Sequence, residues 1–325
     1  MLDSRLTLAV AALASITLVH LPESARAQVT AAAVKTQVTD SSTLVLPAKD
    51  PNLQASLEAV LSQAPFKSLV AKQRLSVALA DLSQPGVIRY AGVDDDHMRY
   101  AASLPKIAVM LGVFDQIDKG NVKYTPELRR KLELMIRKSS NRESSQLIEL
   151  VGFEAIANAL EDPRYELYHE NRDGGLWVGK DYGGELGRWR RDPLHAISHG
   201  ATARQAARFF IMLDRGQLIS PWASQEMKSI MSRPEIKHKF VLGLASRPQS
   251  RIFRKSGTWR EWHSDAALVE RDGKKYVAVA LMESSAKGVL ARLIVKLDDL
   301  IFKPDGISSA SVIPVFDDLV DVDNR

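Results

Sequence analysis

The chain has 325 residues, a formal net charge of +5 and no cysteine, and its hydrophobic (45%) and charged (26%) fractions are those of an ordinary globular protein. The positive charges are interspersed with negative ones and form no basic stripe interleaved with aromatic residues, which argues against a nucleic acid partner. Without cysteine the chain has no disulfide, no thiolate nucleophile and no cysteine for a lipid anchor.

Residues 1–27 predict a cleaved secretory signal peptide. Arg5 precedes an apolar run over residues 6–21, and the A-R-A triplet at residues 25–27 fits a signal peptidase site. The run is shorter than the ~20 residues of a transmembrane helix. We therefore expect a bacterial periplasmic or secreted protein that keeps no membrane anchor after cleavage.

The rest of the chain predicts one folded domain between two loose segments. Residues 28–48 are rich in Ala, Thr, Ser and Val without a clear period, which predicts a flexible leader. The domain is expected over residues 49–303, and residues 304–325 are expected to form a C-terminal tail. No internal repeat is present, and we expect a monomer.

The predicted elements begin with a helix in "PNLQASLEAVLSQAPF", where leucines follow a proline at helical spacing. "RLSVALADL" and "GVIRYAGV", joined by the turn S-Q-P-G, predict a β-hairpin. Four segments with apolar residues at three- and four-residue steps predict helices: "TPELRRKLELMIRKSS", "NRESSQLIELVG", "FEAIANALE" and "TARQAARFFIMLDRG". Three strands, "RIFRKSG", "SDAALVE" and "KYVAVALM", and a last helix, "GVLARLIVKLDDLIF", complete the domain.

This order of elements predicts an α/β (α+β) fold with two lobes, an antiparallel sheet flanked by helices and an all-α lobe. Catalytic groups are expected in the cleft between the lobes. Between Asp162 and Gly200 the helical pattern gives way to a long glycine-rich segment with aromatic and charged residues. A loop of this length inside a compact domain is usually functional.

The first candidate for catalysis is the pair Ser103 and Lys106 in "RYAASLPKIAVM". Residues three apart share a helix face, so the hydroxyl and the amine can meet, which is the geometry of an activated nucleophile. The alternative interpretation is that Ser103 caps the helix and Lys106 is a solvated charge. The pair alone does not decide between them.

Two further motifs follow in the chain. S-L-P-K at residues 103–106 is followed by S-S-N at 139–141 and K-S-G at 255–257. In this order the three motifs resemble those of class A β-lactamases and penicillin-binding proteins, a superfamily of serine hydrolases. The resemblance extends over residues 51–302, because "TARQAARFFIMLDRGQLIS" is similar to the helix after the omega loop and "SGTWREWHSDAALVERDGKKYVAVAL" to the final strands. It implies the two-lobed fold derived above.

The resemblance implies a catalytic role for each motif. Ser103 would attack a carbonyl and become acylated, and Lys106 would accept or relay its proton. For this, the pKa of Lys106 would have to be lowered by burial and by a second cation, Lys255. Ser139 would protonate the leaving nitrogen, and Asn141 would orient the substrate amide and Lys106. Helix capping is the alternative role for Ser139 and Asn141.

The same resemblance implies a set of substrate-binding residues. Ser256 would bind a substrate carboxylate, and Gly257 would let an acyl substrate lie along the strand. The backbone N–H groups of Ser103 and Thr258 would form the oxyanion hole. Arg260 would hold the carboxylate, unless it is simply a surface arginine.

The chain departs from class A β-lactamases at the omega-loop glutamate, which activates the water for deacylation. Glu166 follows Arg164 and Tyr165 in a suitable context, so we expect it to be this catalytic residue, with Glu170 and Glu185 as rivals and solvated loop charge as the alternative for all three. The second motif also carries a serine where class A enzymes have an aspartate. The segment between the first two motifs is shorter than theirs, which would remove one wall of the cleft.

Two other catalytic patterns are weaker. His195 and His199 have the spacing of a zinc pair on a helix, but the glutamate of H-E-x-x-H and a third ligand are missing, so we expect no metal. His263 lies beside Ser264 and Asp265, yet neighbouring strand residues point to opposite faces, which excludes a local triad.

The sequence therefore predicts a secreted serine hydrolase that cleaves a β-lactam or similar amide through an acyl-enzyme on Ser103, without metal or organic cofactor. The alternatives are a penicillin-binding D-Ala-D-Ala carboxypeptidase and a sensor that is acylated but does not turn over. The expected partner is a small β-lactam or a peptidoglycan stem peptide, and no nucleic acid.

Overall fold

The computed structural model of the protein describes residues 44–184 and 186–303. The expected signal peptide, residues 28–43 of the expected leader and the expected C-terminal tail lie outside the described residues, as does Glu185. No helix in the described part is long and apolar enough to cross a bilayer.

The structure contains helices and strands at each of the predicted positions. The helices are α1 (Pro51–Leu61), α2 (Phe66–Ala71), α3 (Lys106–Asp118), α4 (Pro126–Arg137), α5 (Asn141–Val151), α6 (Phe153–Glu161), α7 (Ala203–Asp214), α8 (Pro221–Met231), α9 (Phe240–Gly243) and α10 (Val289–Phe302). The strands are β1 (Leu75–Asp81), β2 (Arg89–Val93), β3 (Arg99–Tyr100), β4 (Tyr168–His169), β5 (Gly174–Gly175), β6 (Trp177–Val178), β7 (His199–Ala201), β8 (Arg251–Trp259), β9 (Trp262–Arg271) and β10 (Lys274–Glu283). Helices α2, α8 and α9 and the short strands β3 to β7 were missing from the predicted elements.

The main sheet has five antiparallel strands in the order β2-β1-β10-β9-β8. Strand β1 pairs with β10 along its whole length, from Leu75 opposite Met282 to Asp81 opposite Tyr276. The N-terminal hairpin thus completes a sheet begun by the last three strands. Helices α1 and α10 cover one face of this sheet and α7 packs on the other, so both faces are buried.

The helical lobe is built around α3, whose residues from Lys106 to Asp115 are all buried. Helices α4, α5 and α6 pack around it. A helix that is apolar on nearly every side belongs in the centre of a lobe, because no face of it gains from contact with water. The predicted architecture, an antiparallel sheet flanked by helices plus an all-α lobe, is confirmed.

The packed chain begins before the expected boundary at residue 49. Leu44 and Leu46 are buried against the core, and the guanidinium of Arg208 donates two hydrogen bonds to the carbonyl oxygen of Leu44, at 2.8 and 3.2 Å. Residues 44–48 therefore form part of the folded domain and not of a flexible leader. The alternate leucines of "LVLP" supply the apolar side chains that hold this segment in place.

The loop between Asp162 and Gly200 carries short strands and a buried core of its own. Strands β3, β7 and β6 form a three-stranded sheet, and β4 pairs with β5. Trp177 is fully buried, and its indole donates to the carbonyl of Arg190. Because β7 pairs with β3, which ends three residues before Ser103, the loop is held against the start of α3.

Candidate active site

Ser103 lies in the turn that connects β3 to α3. Helix α3 begins at Lys106, with Pro105 at its N-cap position and no side chain bonded to its first turn. The structure therefore does not support the alternative that Ser103 caps the helix. Ala102 has a left-handed φ of 50°, and this turn directs the chain from the sheet into the helix with Ser103 facing the cleft.

Lys106 is fully buried, so it is not a solvated charge. Its Nζ donates to the carbonyl oxygens of Ser139 (2.6 Å) and Ser140 (3.2 Å) and to Oδ1 of Asn141 (2.8 Å). Ser139 has a left-handed φ of 58°, which turns the backbone before α5 so that two successive carbonyls face one amine. The Tyr182 ring lies over the same Nζ, 4.6 Å from the ring centre. The first two motifs are thus in direct contact.

Lys255, on β8, connects the third motif to the second. It is 1% exposed, and its Nζ donates to Oγ of Ser139 at 2.9 Å and to the carbonyl of Ser256 at 2.6 Å. Burial lowers the pKa of Lys255 well below its usual range, and the positive charges of Lys106 and Arg254 lower it further. Because Lys255 donates to Ser139 Oγ, the proton of that hydroxyl is left for another acceptor.

The edge of β8 touches the turn that carries Ser103. A Cβ at Gly257 would lie 2.6 Å from the backbone nitrogen of Ser103 and would also overlap the carbonyl oxygen of Ala101. Only glycine permits this approach. Lys239 Nζ donates to the Gly257 carbonyl (2.7 Å) and to Oγ1 of Thr258 (2.6 Å), which braces the strand. The two segments expected to supply oxyanion donors, at Ser103 and Thr258, border one cleft.

This cleft has a volume of about 470 Å³. Ser103, Asn141 and Thr258 line it, as the motifs predict. The long loop supplies a wall that sequence reasoning missed, comprising Lys180, Asp181, Tyr182, Ser198 and His199. Three aromatic residues complete the lining: Tyr100, Trp259 and Trp262. The unusual composition of the loop was the only sequence signal for this wall.

Seven of the ten expected site residues do not line the described cleft: Lys106, Ser139, Lys255 and Gly257, whose contacts are given above, and Ser256, Arg260 and Glu166. Ser256 is 5% exposed, and Arg260 lies exposed at the turn between β8 and β9, with its guanidinium over the ring of Trp259. Glu166 pairs with Arg172 at 3.5 Å, away from the lining residues. The backbone carbonyl of Glu166 accepts a 2.6 Å hydrogen bond from the guanidinium of Arg208 on α7, which holds this residue in place.

The structure places neither of the two rival glutamates in the cleft lining. Glu170 is exposed in a 3₁₀ turn, and Glu185 lies outside the described residues. The only carboxylate that lines the cleft in the described part of the chain is Asp181. It is buried, accepts from Ser145 Oγ and Leu186 N, and the hydrogen bonds from Ser145 and the loop backbone outweigh burial and lower its pKa.

The two histidines of "HAISH" do not share a helix. His195 pairs with Asp173 at 2.9 Å, whereas His199 lies on β7 and packs against the tilted ring of Tyr182, with ring centres 4.2 Å apart. Burial lowers the pKa of His199 to about 4, so its ring is neutral at pH 7. Within the described residues, no group of three His, Cys, Asp or Glu side chains is placed to hold a metal ion.

The combination of this two-lobed fold with a serine and two buried lysines between the lobes is that of the β-lactamase-like serine hydrolases. The chain belongs to the beta-lactamase enzyme family, whose family model matches residues 123–303. This range includes the second and third motifs and begins after Ser103 and Lys106.

Solved structures with the same fold have low sequence identity to this chain. PBP-A is 19% identical, with a TM-score of 0.60, over 80% of this chain and 100% of its own. A β-lactamase from Sphaerobacter thermophilus is 15% identical, with a TM-score of 0.59, over 78% and 98%. A class A β-lactamase representative from Bacteroides cellulosilyticus is 18% identical, with a TM-score of 0.58, over 78% and 98%. No curated protein matches the chain in sequence.

Proposed function

We propose that the protein is a secreted, monomeric serine hydrolase that forms an acyl-enzyme on Ser103 with a β-lactam or a similar amide and then hydrolyses it, without metal or organic cofactor. The observation that carries this proposal is the continuous set of contacts from Lys106 through Ser139 to Lys255, beside Ser103. A variant of the fold neighbour PBP-A has been solved as an acyl-enzyme complex with penicillin G, which adds support.

In acylation, Oγ of Ser103 attacks the carbonyl carbon while its proton passes to Lys106. Lys106 Nζ, which donates to the carbonyl oxygens of Ser139 and Ser140 and to Oδ1 of Asn141, serves as a relay, passing a proton on towards Ser139 as it gains one. Ser139 Oγ, fixed by Lys255, gives its own proton to the leaving nitrogen. Each group ends the step with as many protons as it began, except that Ser103 is acylated.

Charge on the carbonyl oxygen would be stabilised by the backbone N–H groups of Ser103 and Thr258. Such donors act without reorganising because the surrounding chain already holds them, and Gly257 lets the two segments meet. For a substrate carboxylate we propose Lys180 as partner in place of Arg260, because Lys180 borders the cleft and Arg260 does not.

A second function, that of a penicillin-binding D-Ala-D-Ala carboxypeptidase, is favoured by the position of Glu166. A β-lactamase needs rapid attack of water on the acyl-enzyme, and the expected glutamate is paired with Arg172 outside the cleft lining. A long-lived acyl-enzyme would suit a peptidase that β-lactams inhibit, or a sensor that never turns over.

The test is intact-protein mass spectrometry with a chromogenic cephalosporin, with absorbance followed in parallel. The wild type should gain the mass of the acyl group on Ser103, Ser103→Ala should gain none, and Ser62→Ala, a serine at the exposed end of α1, should match the wild type. Many turnovers indicate a β-lactamase, whereas one equivalent and release of D-alanine from stem peptides indicate a carboxypeptidase. A wild type that forms no adduct contradicts the proposal.

A further inference from the structure

We infer that His199 is the base that activates the hydrolytic water for deacylation of Ser103. This inference rests on the proposed acyl-enzyme function. It assigns to His199 the role that Glu166 was expected to have. The argument rests on the position of the imidazole, on its hydrogen bonds and on the residues that surround it.

His199 is held next to the nucleophile by the backbone. It begins β7, and its carbonyl accepts a 2.8 Å hydrogen bond from the backbone nitrogen of Ala101, two residues before Ser103. Both Ser103 and His199 line the cleft. The contact lies within the small sheet of β3, β7 and β6, so it does not depend on a side chain reaching across open space.

The hydrogen bonds of the ring determine which nitrogen carries the proton. Nε2 lies 3.0 Å from the carbonyl oxygen of Lys180. A carbonyl can only accept, so Nε2 carries the hydrogen and Nδ1 keeps a lone pair. Nδ1 faces Ser198 Oγ at 3.5 Å, at the limit for a hydrogen bond, and Ser198 also borders the cleft. A water in the cleft within hydrogen-bond distance of Nδ1 would have this lone pair as its proton acceptor.

The ring is buried among aromatic side chains and neutral. His199 is 5% exposed, the Tyr182 ring packs against it at a tilt of 34°, and Tyr100 meets it edge-on at 6.2 Å. Burial lowers its pKa to about 4, Lys180 and Lys106 lower it further, and the hydrogen bond to the Lys180 carbonyl and the charge of Asp181 oppose this. At neutral pH the base form is therefore the populated one.

Asp181, the only carboxylate that lines the cleft in the described part of the chain, is less suited to hold a catalytic water. Its carboxylate oxygens accept from Ser145 Oγ and from the backbone nitrogen of Leu186, and these bonds hold the loop together. A carboxylate that is engaged in this way has fewer lone pairs left for water.

The step balances as follows. The water oxygen attacks the acyl carbonyl carbon while one water proton moves to Nδ1 of His199, giving a tetrahedral intermediate and an imidazolium. The bond between that carbon and Ser103 Oγ then breaks, Oγ takes the proton from the imidazolium, and a carboxylic acid leaves. Serine and imidazole both return to their starting states.

The test separates acylation from deacylation by single-turnover mass spectrometry with the same cephalosporin. His199→Gln should acylate within about threefold of the wild type, while decay of the adduct slows by about 10²-fold or more, the usual contribution of a general base. His195→Gln, which removes an imidazole outside the cleft lining, should leave both rates unchanged.

The inference is overturned if the adduct of His199→Gln decays as fast as that of the wild type, or if Asp181→Asn slows the decay and His199→Gln does not. It is also overturned if the wild-type adduct persists for a day. If His199→Gln does not fold, the wild type decides: its decay rate should be flat above about pH 5 and fall towards pH 4, with folding checked by circular dichroism. A rate that stays constant down to about pH 3 in a protein that is still folded overturns the inference. A wild type without an adduct contradicts the proposed function instead.

Discussion

The contact between Gly257 and the Ser103 turn makes Gly257→Ala a sharp test of the site. The new Cβ would lie 2.3 Å from the carbonyl oxygen of Ala101 and 2.6 Å from the backbone nitrogen of Ser103, where an ordinary contact begins at 3.4 Å, so β8 and the turn would have to separate by about 1.1 Å. Gly257 does not have a left-handed φ, so alanine adds no backbone strain there. The effect of the substitution is therefore a displacement at the oxyanion hole.

A displacement of ~1 Å at reacting groups costs about 10²-fold in rate, and loss of one oxyanion donor costs about 10²–10³-fold. We expect acylation of Gly257→Ala to fall by about 10²–10³-fold, or about 3–4 kcal/mol of activation free energy. Stopped-flow absorbance with the cephalosporin measures the rate, and mass spectrometry measures the adduct.

The matched control is Gly112→Ala in α3, whose Cβ would lie 2.8 Å from Cγ1 of Ile156, away from the cleft lining. It should lower the melting temperature and leave acylation by the folded protein nearly unchanged. If Gly257→Ala acylates within threefold of the wild type, the proposed oxyanion hole is wrong.

Three further predictions concern stability, each measured by urea unfolding. Arg208→Met removes buried donors to the carbonyls of residues 44 and 166 and should destabilise the fold by about 2–4 kcal/mol; no change would mean that these bonds hold nothing in place. Asp265→Asn deprives the buried Arg254, 2.7 Å away, of its counter-charge and should cost about 3–5 kcal/mol, and a loss below 1 kcal/mol contradicts this. The lowered pKa of His199, about 4 in place of 6.5, means that the unfolded chain binds the proton first, so stability falls as pH drops from about 6.5 towards 4. This histidine should account for about 2 kcal/mol of the loss between pH 7 and pH 5, and His199→Gln should flatten the profile by that amount.

The motif residues could be found from the sequence because each motif consists of a few residues that are close together in the chain. Ser103 and Lys106 lie within one turn, and each of the other motifs spans three residues. Their order along the chain was enough to indicate which known fold would bring them together. The contacts of Lys106 with Ser139 and of Lys255 with the same serine agree with that expectation.

The wall formed by the long loop could not be found in this way. Lys180, Tyr182 and His199 border the cleft because short strands and glycine turns set the path of the loop. No periodic pattern encodes such a path. For Glu166, the local sequence suggested a position in the cleft that the structure does not show. Its neighbours fit those of a catalytic glutamate, yet its backbone carbonyl accepts from Arg208 and its carboxylate pairs with Arg172.

The sequence by itself determined most of the helices, the five strands of the main sheet and the three motifs, because apolar periodicity and hydrogen-bonding side chains act over a few neighbouring residues. Only the tertiary structure decided which groups meet in the cleft. The strand pairing that sets His199 beside the Ser103 turn, and the bond that turns its Nε2 to Lys180, join segments far apart in the chain. Their relative positions depend on how the whole domain packs, which no local pattern contains.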